Sequence, residues 1–128
     1  MTAFLADTQI LLWSAGSVER LNRQVVKALE EPANEVFVSA VSIAEIVIKQ
    51  SIGKLSIPVA ALELCNQLGF GVVALTGADS QRMTTLPLLH RDPFDRLLIA
   101  QALQQGLTLI TSDQAVWQYP DVAVLRNE

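Results

Sequence analysis

The chain alternates short runs of apolar residues with longer segments in which apolar residues recur every three or four positions. The short runs predict strands buried on both faces, and the periodic segments predict amphipathic helices. We expect strands at residues 2–6, 35–38, 71–75, 107–110 and 122–125. We expect helices at residues 17–31, 39–52, 58–68, 77–85 and 93–105, and a short helical segment at 114–119. This alternation predicts an α/β domain with a parallel sheet and helices on both of its faces.

Prolines and glycines mark the ends of several predicted helices. Pro58 and Pro93 fall in or near a first turn, where the backbone N–H that proline lacks would have no helical partner. Gly53, Gly69 and Gly106 each follow the last periodic residue of a segment, where glycine commonly ends a helix. The predicted helix bounds therefore rest on these residues as well as on the apolar spacing.

The composition is that of one soluble domain covering residues 1–128. Hydrophobic residues make up 51% and charged residues 17%, so a chain of this length can bury a sufficient core without disulfides or a structural metal. No apolar run approaches the roughly 18 residues that a membrane-spanning helix needs. The first seven residues lack the basic region of a signal peptide. We therefore expect a cytoplasmic protein with no membrane partner.

The charge balance and the scarcity of cysteine and histidine limit the possible chemistry. Nine basic and thirteen acidic side chains give a net charge of −4, which argues against sequence-independent clamping of duplex nucleic acid. Cys65 and His90 are the single cysteine and the single histidine. They exclude an internal disulfide, a thiolate-rich zinc site and any multi-histidine site. A metal ion would therefore have to bind to carboxylates.

Five acidic residues fall where the predicted strands end or where the following helices begin. Asp7 follows the first strand, and Asp113 follows the strand at 107–110. Glu45 lies two turns into the helix after the second strand, and Asp92 and Asp95 open the helix at 93–105. Ligands of parallel sheets bind beyond the carboxyl ends of the strands. We therefore expect these five carboxylates to lie near one edge of the sheet.

Each acid also has a purely structural interpretation. Asp7, Asp92 and Asp113 stand where a helix or turn would be capped. Asp95 is an acid in a first helical turn, which the helix dipole favours, although the helix around it is apolar nearly all round.

Glu45 has two structural alternatives of its own. Ser42 and Glu45 match a capping box, and Glu45 and Lys49 are spaced as an ion pair one helical turn apart. Either interpretation would explain Glu45 without a functional site.

The five acids taken together favour a site. Clustered carboxylates repel one another and cannot all stay ionised without a cation. A cluster of three or four carboxylates without histidine or thiolate suits Mg²⁺ or Mn²⁺. Such a site can support metal-assisted hydrolysis of phosphodiesters.

Four segments, in order and spread over the whole chain, resemble a known family. They are Leu-Ala-Asp-Thr at 5–8, Ser-Ala-Val-Ser-Ile-Ala-Glu at 39–45, the long segment from His90 to Ala102, and Leu-Ile-Thr-Ser-Asp at 109–113. Together they resemble a PIN-domain ribonuclease, and more narrowly a VapC-type toxin of a bacterial toxin–antitoxin pair. The resemblance implies a five-stranded parallel sheet between helices and endonucleolytic cleavage of RNA.

The resemblance also implies a cofactor, a set of site residues and partners. The cofactor is Mg²⁺ or Mn²⁺, and the partners are an RNA substrate, a cognate antitoxin and a second copy of the chain as a homodimer. The implied catalytic and metal-binding acids are Asp7, Glu45, Asp95 and Asp113, with Asp92 as a further ligand. The polar residues implied around them are Thr8, Thr111 and Ser112.

Basic residues near the acids are candidates to guide RNA, or else they are ordinary solvated charges. The candidates are Arg96, Arg91, Lys49, Lys54 and Arg82, with Arg96 favoured because it adjoins Asp95 and because guanidinium fits phosphate.

Aromatic, histidine and apolar residues near the predicted site leave further alternatives open. His90 could contact RNA or simply precede a helix cap, and Trp13 and Trp117 could stack on bases or pack in a core. The apolar residues at 10–13 could form an interface or lie inside the monomer.

Two rival classes of protein remain at the level of sequence. One is a phosphoacceptor receiver domain, which would need a pair of acids after the first strand and a lysine after the last. Here Asp7 stands alone, and no lysine follows Asn66. The other rival is a PIN-like fold retained only to bind RNA or protein.

Overall fold

Five parallel strands form one sheet in this protein, which a computed structural model describes over residues 2–128. The strands are β1 (Ala3–Ala6), β2 (Glu35–Ser39), β3 (Gly71–Val73), β4 (Thr108–Thr111) and β5 (Val124–Arg126). Their order across the sheet is β3-β2-β1-β4-β5. The central strand β1 pairs Phe4 with Val36 of β2 and with Thr108 of β4. The expected five-stranded parallel sheet is confirmed.

Seven α-helices cover the two faces of the sheet. They are α1 (Thr8–Gly16), α2 (Arg23–Glu30), α3 (Ala40–Ser51), α4 (Ala61–Leu68), α5 (Gly77–Gln81), α6 (Pro93–Gln105) and α7 (Gln114–Trp117). Side chains of β1 alternate between the faces, so Leu5 packs with Leu98 and Ile99 of α6. Ala6 packs on the other face with Ile10 of α1. The core therefore holds α6 and α1 against opposite faces of β1.

Helix α1 is the element that the hydrophobic pattern does not predict. Its sequence is apolar over Ile10, Leu11, Leu12 and Trp13, so it lacks the spacing that distinguishes a helix from a buried strand. Ile10 and Leu11 are fully buried inside the monomer. The expectation that the whole 10–13 segment could serve an interface is therefore wrong for these two residues.

The segment predicted as one helix over 17–31 is broken. A 3₁₀ turn at Val18–Arg20 precedes α2, which begins only after Asn22. The Asn22 side chain accepts a hydrogen bond from the backbone N–H of Val25 at 2.9 Å and caps α2. The apolar spacing from Val18 through Leu21 to Val25 favours one helix, but Val18 is exposed and the 3₁₀ turn has no buried residue. An exposed apolar residue at a helical spacing therefore concealed the break.

Three other helices are shorter than predicted, and none is suited to a membrane. The helix expected from Pro58 begins at Ala61, and the segment expected over 77–85 is α5 followed by a 3₁₀ turn at Arg82–Thr85. The short helical segment expected over 114–119 likewise ends early, at Trp117. Among the helices of residues 2–128, none combines the length and apolarity needed to cross a membrane.

Candidate active site

The five predicted acids meet at the edge of the sheet where β1 and β4 end. They line an open cleft of about 510 Å³, together with residues of α1, of α3 and of the loop after α3. The acids of the cleft are Asp7, Glu45, Asp92, Asp95 and Asp113. The topology explains this convergence, because β1 and β4 are parallel neighbours and their carboxyl ends reach the same edge.

Asp7 follows β1 directly and is, with Glu45, one of the two buried carboxylates of the cleft. Its exposed fraction is 8%, and its Oδ1 accepts a hydrogen bond from the backbone N–H of Ile10 at 2.8 Å. Burial raises the pKa of Asp7 to about 7, although hydrogen bonds from Thr111 and Ile10 act to lower it. The negative charges of Asp95 and Asp113 raise it further. A cation beside Asp7 would therefore favour its ionised form.

Asp95 and Asp113 both contact the imidazole of His90. The Nε2 atom of His90 lies 2.7 Å from Oδ2 of Asp95 and 3.1 Å from Oδ2 of Asp113. His90 therefore belongs to the acidic site, and preceding a helix cap is only part of its role. The sequence did hold a signal, since His90 stands five residues before Asp95 in the same segment.

The electrostatics of this group follow from burial and from the neighbouring charges. Burial raises the pKa of Asp95 to about 6, the hydrogen bond to His90 lowers it, and the charge of Asp92 raises it. Burial acts to lower the pKa of His90, but the hydrogen bond to Asp95 and the charge of Asp113 outweigh it, and the pKa is raised. The acids and the histidine thus already interact as one cluster.

Asp92 and Asp113 also cap helices, as their structural interpretation predicts. Oδ1 of Asp92 accepts from the N–H of Phe94 at 2.9 Å at the start of α6. Oδ1 of Asp113 accepts from the N–H of Ala115 at 2.9 Å at the start of α7. The cap of Asp113 uses one oxygen, and the other faces His90. The capping and site interpretations therefore hold together.

Glu45 is held at the edge of the cleft by contacts on both of its oxygens. The Thr8 hydroxyl donates to Oε1 at 2.6 Å and lies 2.9 Å from the Ser42 hydroxyl. Lys49 donates to Oε2 at 2.8 Å, which confirms the expected ion pair and raises the pKa of Lys49. The proposed capping box of Ser42 and Glu45 is wrong, because Ser39 caps α3.

Thr111 and Ser112 support the acids from the end of β4. Oγ1 of Thr111 accepts the N–H of Asp113 at 3.0 Å, and the Thr111 side chain also hydrogen-bonds Asp7. Ser112 lines the cleft, and its hydroxyl accepts from Nδ2 of Asn127 at 2.8 Å. Asn127 is a buried support of the site that sequence reasoning missed, because only folding brings the end of the chain to Ser112.

The candidate basic residues divide into those in the cleft and those elsewhere. Lys49 and Lys54 line it. Arg91 is exposed in the loop before α6, and Arg82 donates to the side chain of Gln104 at 3.3 Å. Two lysines on the side of α3 are therefore the rim cations of this cleft.

Arg96 is directed away from the site although it adjoins Asp95 in sequence. Its guanidinium donates to the backbone carbonyl of Pro87 and to the hydroxyl of Tyr119, both at 3.1 Å. Successive residues of a helix point in different directions, so adjacency to Asp95 does not bring Arg96 to the cleft. Arg96 instead holds the loop that precedes α6.

The two tryptophans are engaged within the monomer. The indole N–H of Trp117 donates to the backbone carbonyl of Thr111 at 3.0 Å. The guanidinium groups of Arg126 and Arg20 lie 5.2 and 5.6 Å from the ring centroids of Trp117 and Trp13. These contacts support the packing interpretation rather than stacking on bases.

The donor set of the cleft fits a divalent cation. Buried Asp7 and partly buried Asp95 both have raised pKa values. They and their acidic neighbours repel one another, and a cation would relieve this repulsion. Within residues 2–128, ligand atoms of His90, Asp95 and Asp113 lie within 4.8 Å of one another. Carboxylate oxygens suit Mg²⁺ and Mn²⁺, and the histidine adds a nitrogen donor.

A parallel sheet with a cleft at its carboxyl edge is the arrangement of ligand-binding α/β domains in general, and the sequence assigns the family. Residues 4–122 match the model of the PIN domain, and the chain belongs to the PIN domain family. It is 29% identical over 117 residues to Ribonuclease VapC22 of Mycobacterium tuberculosis (strain ATCC 25618 / H37Rv), with 89% of each chain covered. The resemblance to VapC-type PIN proteins is confirmed.

Solved structures share the fold over nearly the whole chain. VapBC2 from Rickettsia felis, bound to a DNA fragment from its promoter, superposes with a TM-score of 0.72 at 14% identity and 98% coverage of both chains. DNA-bound VapBC from Salmonella typhimurium gives a TM-score of 0.68 at 10% identity with the same coverage. The receiver-domain alternative is not favoured, because its strand order is 2-1-3-4-5 and this sheet has the order 3-2-1-4-5.

Proposed function

We propose that this chain is a divalent-metal-dependent endoribonuclease and the toxin of a toxin–antitoxin pair, acting in the cytoplasm. The observation that carries the proposal is the convergence of five carboxylates on one open cleft. The ribonuclease name of the relative and the VapBC complexes among the similar structures support the same assignment. The proposed substrate is RNA, and the proposed cofactor is Mg²⁺ or Mn²⁺.

The carboxylates divide the work by their position. Asp7 and Asp95 would be the main ligands of the cation, with Asp113 and Glu45 binding directly or through water. Asp92 stands at the margin, where its cap of α6 fixes the first turn that carries Asp95. When bound, a divalent cation supplies an activated water at neutral pH and stabilises negative charge on the phosphate.

The chain must also attract a polyanion to a negatively charged cleft. Lys49 and Lys54 stand on the same side of the cleft, and Lys49 is fixed by its ion pair with Glu45. These ammonium groups would hold phosphates of the RNA strand on either side of the scissile bond and offset the acidic charge. Thr8 keeps Glu45 in place through its hydroxyl.

The test of this function is cleavage of single-stranded RNA by the untagged, purified chain. Cleavage should require Mg²⁺ or Mn²⁺ and stop in EDTA. Asp95→Asn should lower kcat by at least about 100-fold, because a metal site contributes several kcal/mol to the transition state.

The matched control is Asp121→Asn, the same chemical change at an exposed acid outside the cleft, which should keep wild-type activity. Undiminished cleavage in EDTA would contradict the metal mechanism. A folded, metal-loaded chain that binds RNA but cuts none would support a non-catalytic PIN-like module instead.

We also infer a protein antitoxin and self-association as a homodimer. The apolar residues Val47, Ile48 and Ile52 of α3 and its end are about half exposed, which leaves a surface for a second chain. Light scattering of the isolated chain would report the dimer directly. A monomer at micromolar concentration would remove this part of the proposal.

A further inference from the structure

His90 is placed in the cleft by a loop that the rest of the protein holds in position. Its backbone N–H donates to the hydroxyl of Tyr119 at 3.1 Å. The same hydroxyl accepts from Arg96, which also donates to the carbonyl of Pro87 in this loop. About 19% of the His90 side chain is exposed. These contacts hold the backbone that carries His90, and a ligand is placed more precisely on a backbone that its surroundings hold.

The spacing of the donor atoms matches a coordination sphere. Octahedral coordination with bonds of about 2.1 Å places neighbouring ligand atoms about 3.0 Å apart. The Nε2 atom of His90 lies 2.7 Å from Oδ2 of Asp95 and 3.1 Å from Oδ2 of Asp113. All three atoms lie within 4.8 Å of one another. One cation can therefore contact the three of them with small side-chain adjustments.

We propose that His90 is a ligand of the divalent cation through Nε2, together with Asp95 and Asp113, and that this nitrogen makes the site favour Mn²⁺ over Mg²⁺. The inference rests on the proposed metal-dependent function and adds a nitrogen ligand to its carboxylates. Magnesium is a hard ion that prefers oxygen, whereas first-row transition ions accept imidazole nitrogen. Of the two ions of the proposed function, Mn²⁺ is therefore the one that accepts a nitrogen donor beside carboxylates more readily.

Pulsed electron paramagnetic resonance on the Mn²⁺-loaded, untagged full chain tests the nitrogen directly. A coordinated imidazole gives a ¹⁴N modulation on the Mn²⁺ signal. His90 is the only histidine of the chain, so a ¹⁴N imidazole coupling has one possible source, and ¹⁵N-histidine labelling should change it. Loss of the coupling in His90→Gln is expected. Bound Mn²⁺ without this coupling in the wild-type chain would overturn the proposal.

Calorimetric titration with Mn²⁺ and with Mg²⁺ gives the energetic test. His90→Gln should weaken Mn²⁺ binding by about tenfold or more, since even residues that only orient a metal ligand change affinity by about 10–100-fold. Its effect on Mg²⁺ should be clearly smaller. Leu89→Ala, at an exposed apolar position of the same loop, is the control and should keep both affinities.

The outcomes separate this inference from the proposed function. Tighter binding of both ions by His90→Gln would mean that His90 only hydrogen-bonds the carboxylates and competes with the cation, which overturns the inference and leaves the metal mechanism intact. Failure of the wild-type chain to bind either ion would overturn the proposed function itself. The wild-type resonance measurement needs no variant, so poor folding of His90→Gln does not remove the test.

Discussion

Single carboxylates of the cleft perform two tasks at once, because a carboxylate has two oxygens. Oδ1 of Asp7 and Oδ1 of Asp113 each accept a hydrogen bond from a backbone N–H at the start of a helix. The helix is thereby fixed relative to the acid that begins it, and the second oxygen of Asp113 points to His90. A cap at this position therefore directs the other oxygen of Asp113 into the cleft, and asparagine can keep the cap while removing the charge.

Because asparagine can cap the helix but carries no charge, Asp7→Asn should change how the stability of the protein in EDTA depends on pH. The pKa of Asp7 is about 7 in the folded protein and has an ordinary value of 3.8. Between pH 3.8 and about 7, the folded state keeps a proton on Asp7 that the unfolded state has lost. The free energy of unfolding therefore falls by about 1.4 kcal/mol per pH unit as the pH rises through this range. Asp7→Asn should equal the wild type near pH 4 and exceed it near pH 8.

Urea unfolding at the two pH values measures the difference. Asp121→Asn, at an exposed position, should follow the wild type throughout. A variant that is less stable than the wild type at pH 8 would contradict the prediction. It would show that the contacts of the ionised Asp7 carboxylate stabilise the folded state by more than its burial destabilises it.

The sequence predicted the acids of the site because each acid follows a feature that can be recognised locally. Asp7 and Asp113 come after apolar strands, and Asp92 precedes a proline that begins a helix. The placement of His90 and of Asn127 could not be predicted in this way. His90 is directed by a loop tied to Tyr119, and Asn127 reaches Ser112 from the last residues of the chain.

At the scale of elements, helix α6 carries Asp95 and strand β4 leads to Asp113, and the two elements are joined at Gly106. Gly106 has a φ of +69° at the end of α6, a conformation that a residue with a Cβ adopts only with strain. Gly106→Ala should lower the free energy of unfolding by about 1 kcal/mol.

Gly16→Ala is the matched control for this prediction. Gly16 closes α1 without a positive φ, and an added Cβ would meet no atom within 4 Å. The same substitution should therefore be neutral or stabilising by about 0.5 kcal/mol. Chemical unfolding of the two variants measures the contrast, and equal effects would mean that the backbone at Gly106 relaxes without cost.

Elements were predictable where the apolar spacing had one explanation. Helices α3 and α6 have clear starts, and their predicted bounds agree closely with the structure. Helix α1 was missed because a continuous apolar run fits a buried helix and a buried strand equally well. The break at Asn22 was missed because Val18 continues the apolar spacing of Leu21 and Val25 although it is exposed in the structure.

At the scale of the whole molecule, the sheet order places negative charge in the cleft where we propose that RNA binds. The chain has a net charge of −4, and two lysines at one side of the cleft oppose its five acids. Under the proposed function, RNA would bind through a few rim groups and a cation in the cleft. A protein that covers this small area could block the activity completely.

The last prediction concerns that blocking protein. We expect an antitoxin to place a basic side chain among Asp7, Glu45, Asp95 and Asp113, because a permanent positive charge offsets their repulsion and excludes the cation. Arginine suits this place better than lysine, since its planar guanidinium can pair with two carboxylate oxygens at once.

The chain expressed alone should slow bacterial growth, and co-expression with the small protein encoded beside it should restore growth. Asp113→Asn should abolish the toxicity while keeping the cap of α7 and the fold, which circular dichroism would verify. Replacing the inserted arginine of the antitoxin with alanine should weaken the rescue. A wild-type chain that is folded, loaded with metal and harmless at high level would contradict the toxin assignment, and a nuclease that needs no antitoxin would become the better explanation of the cleft.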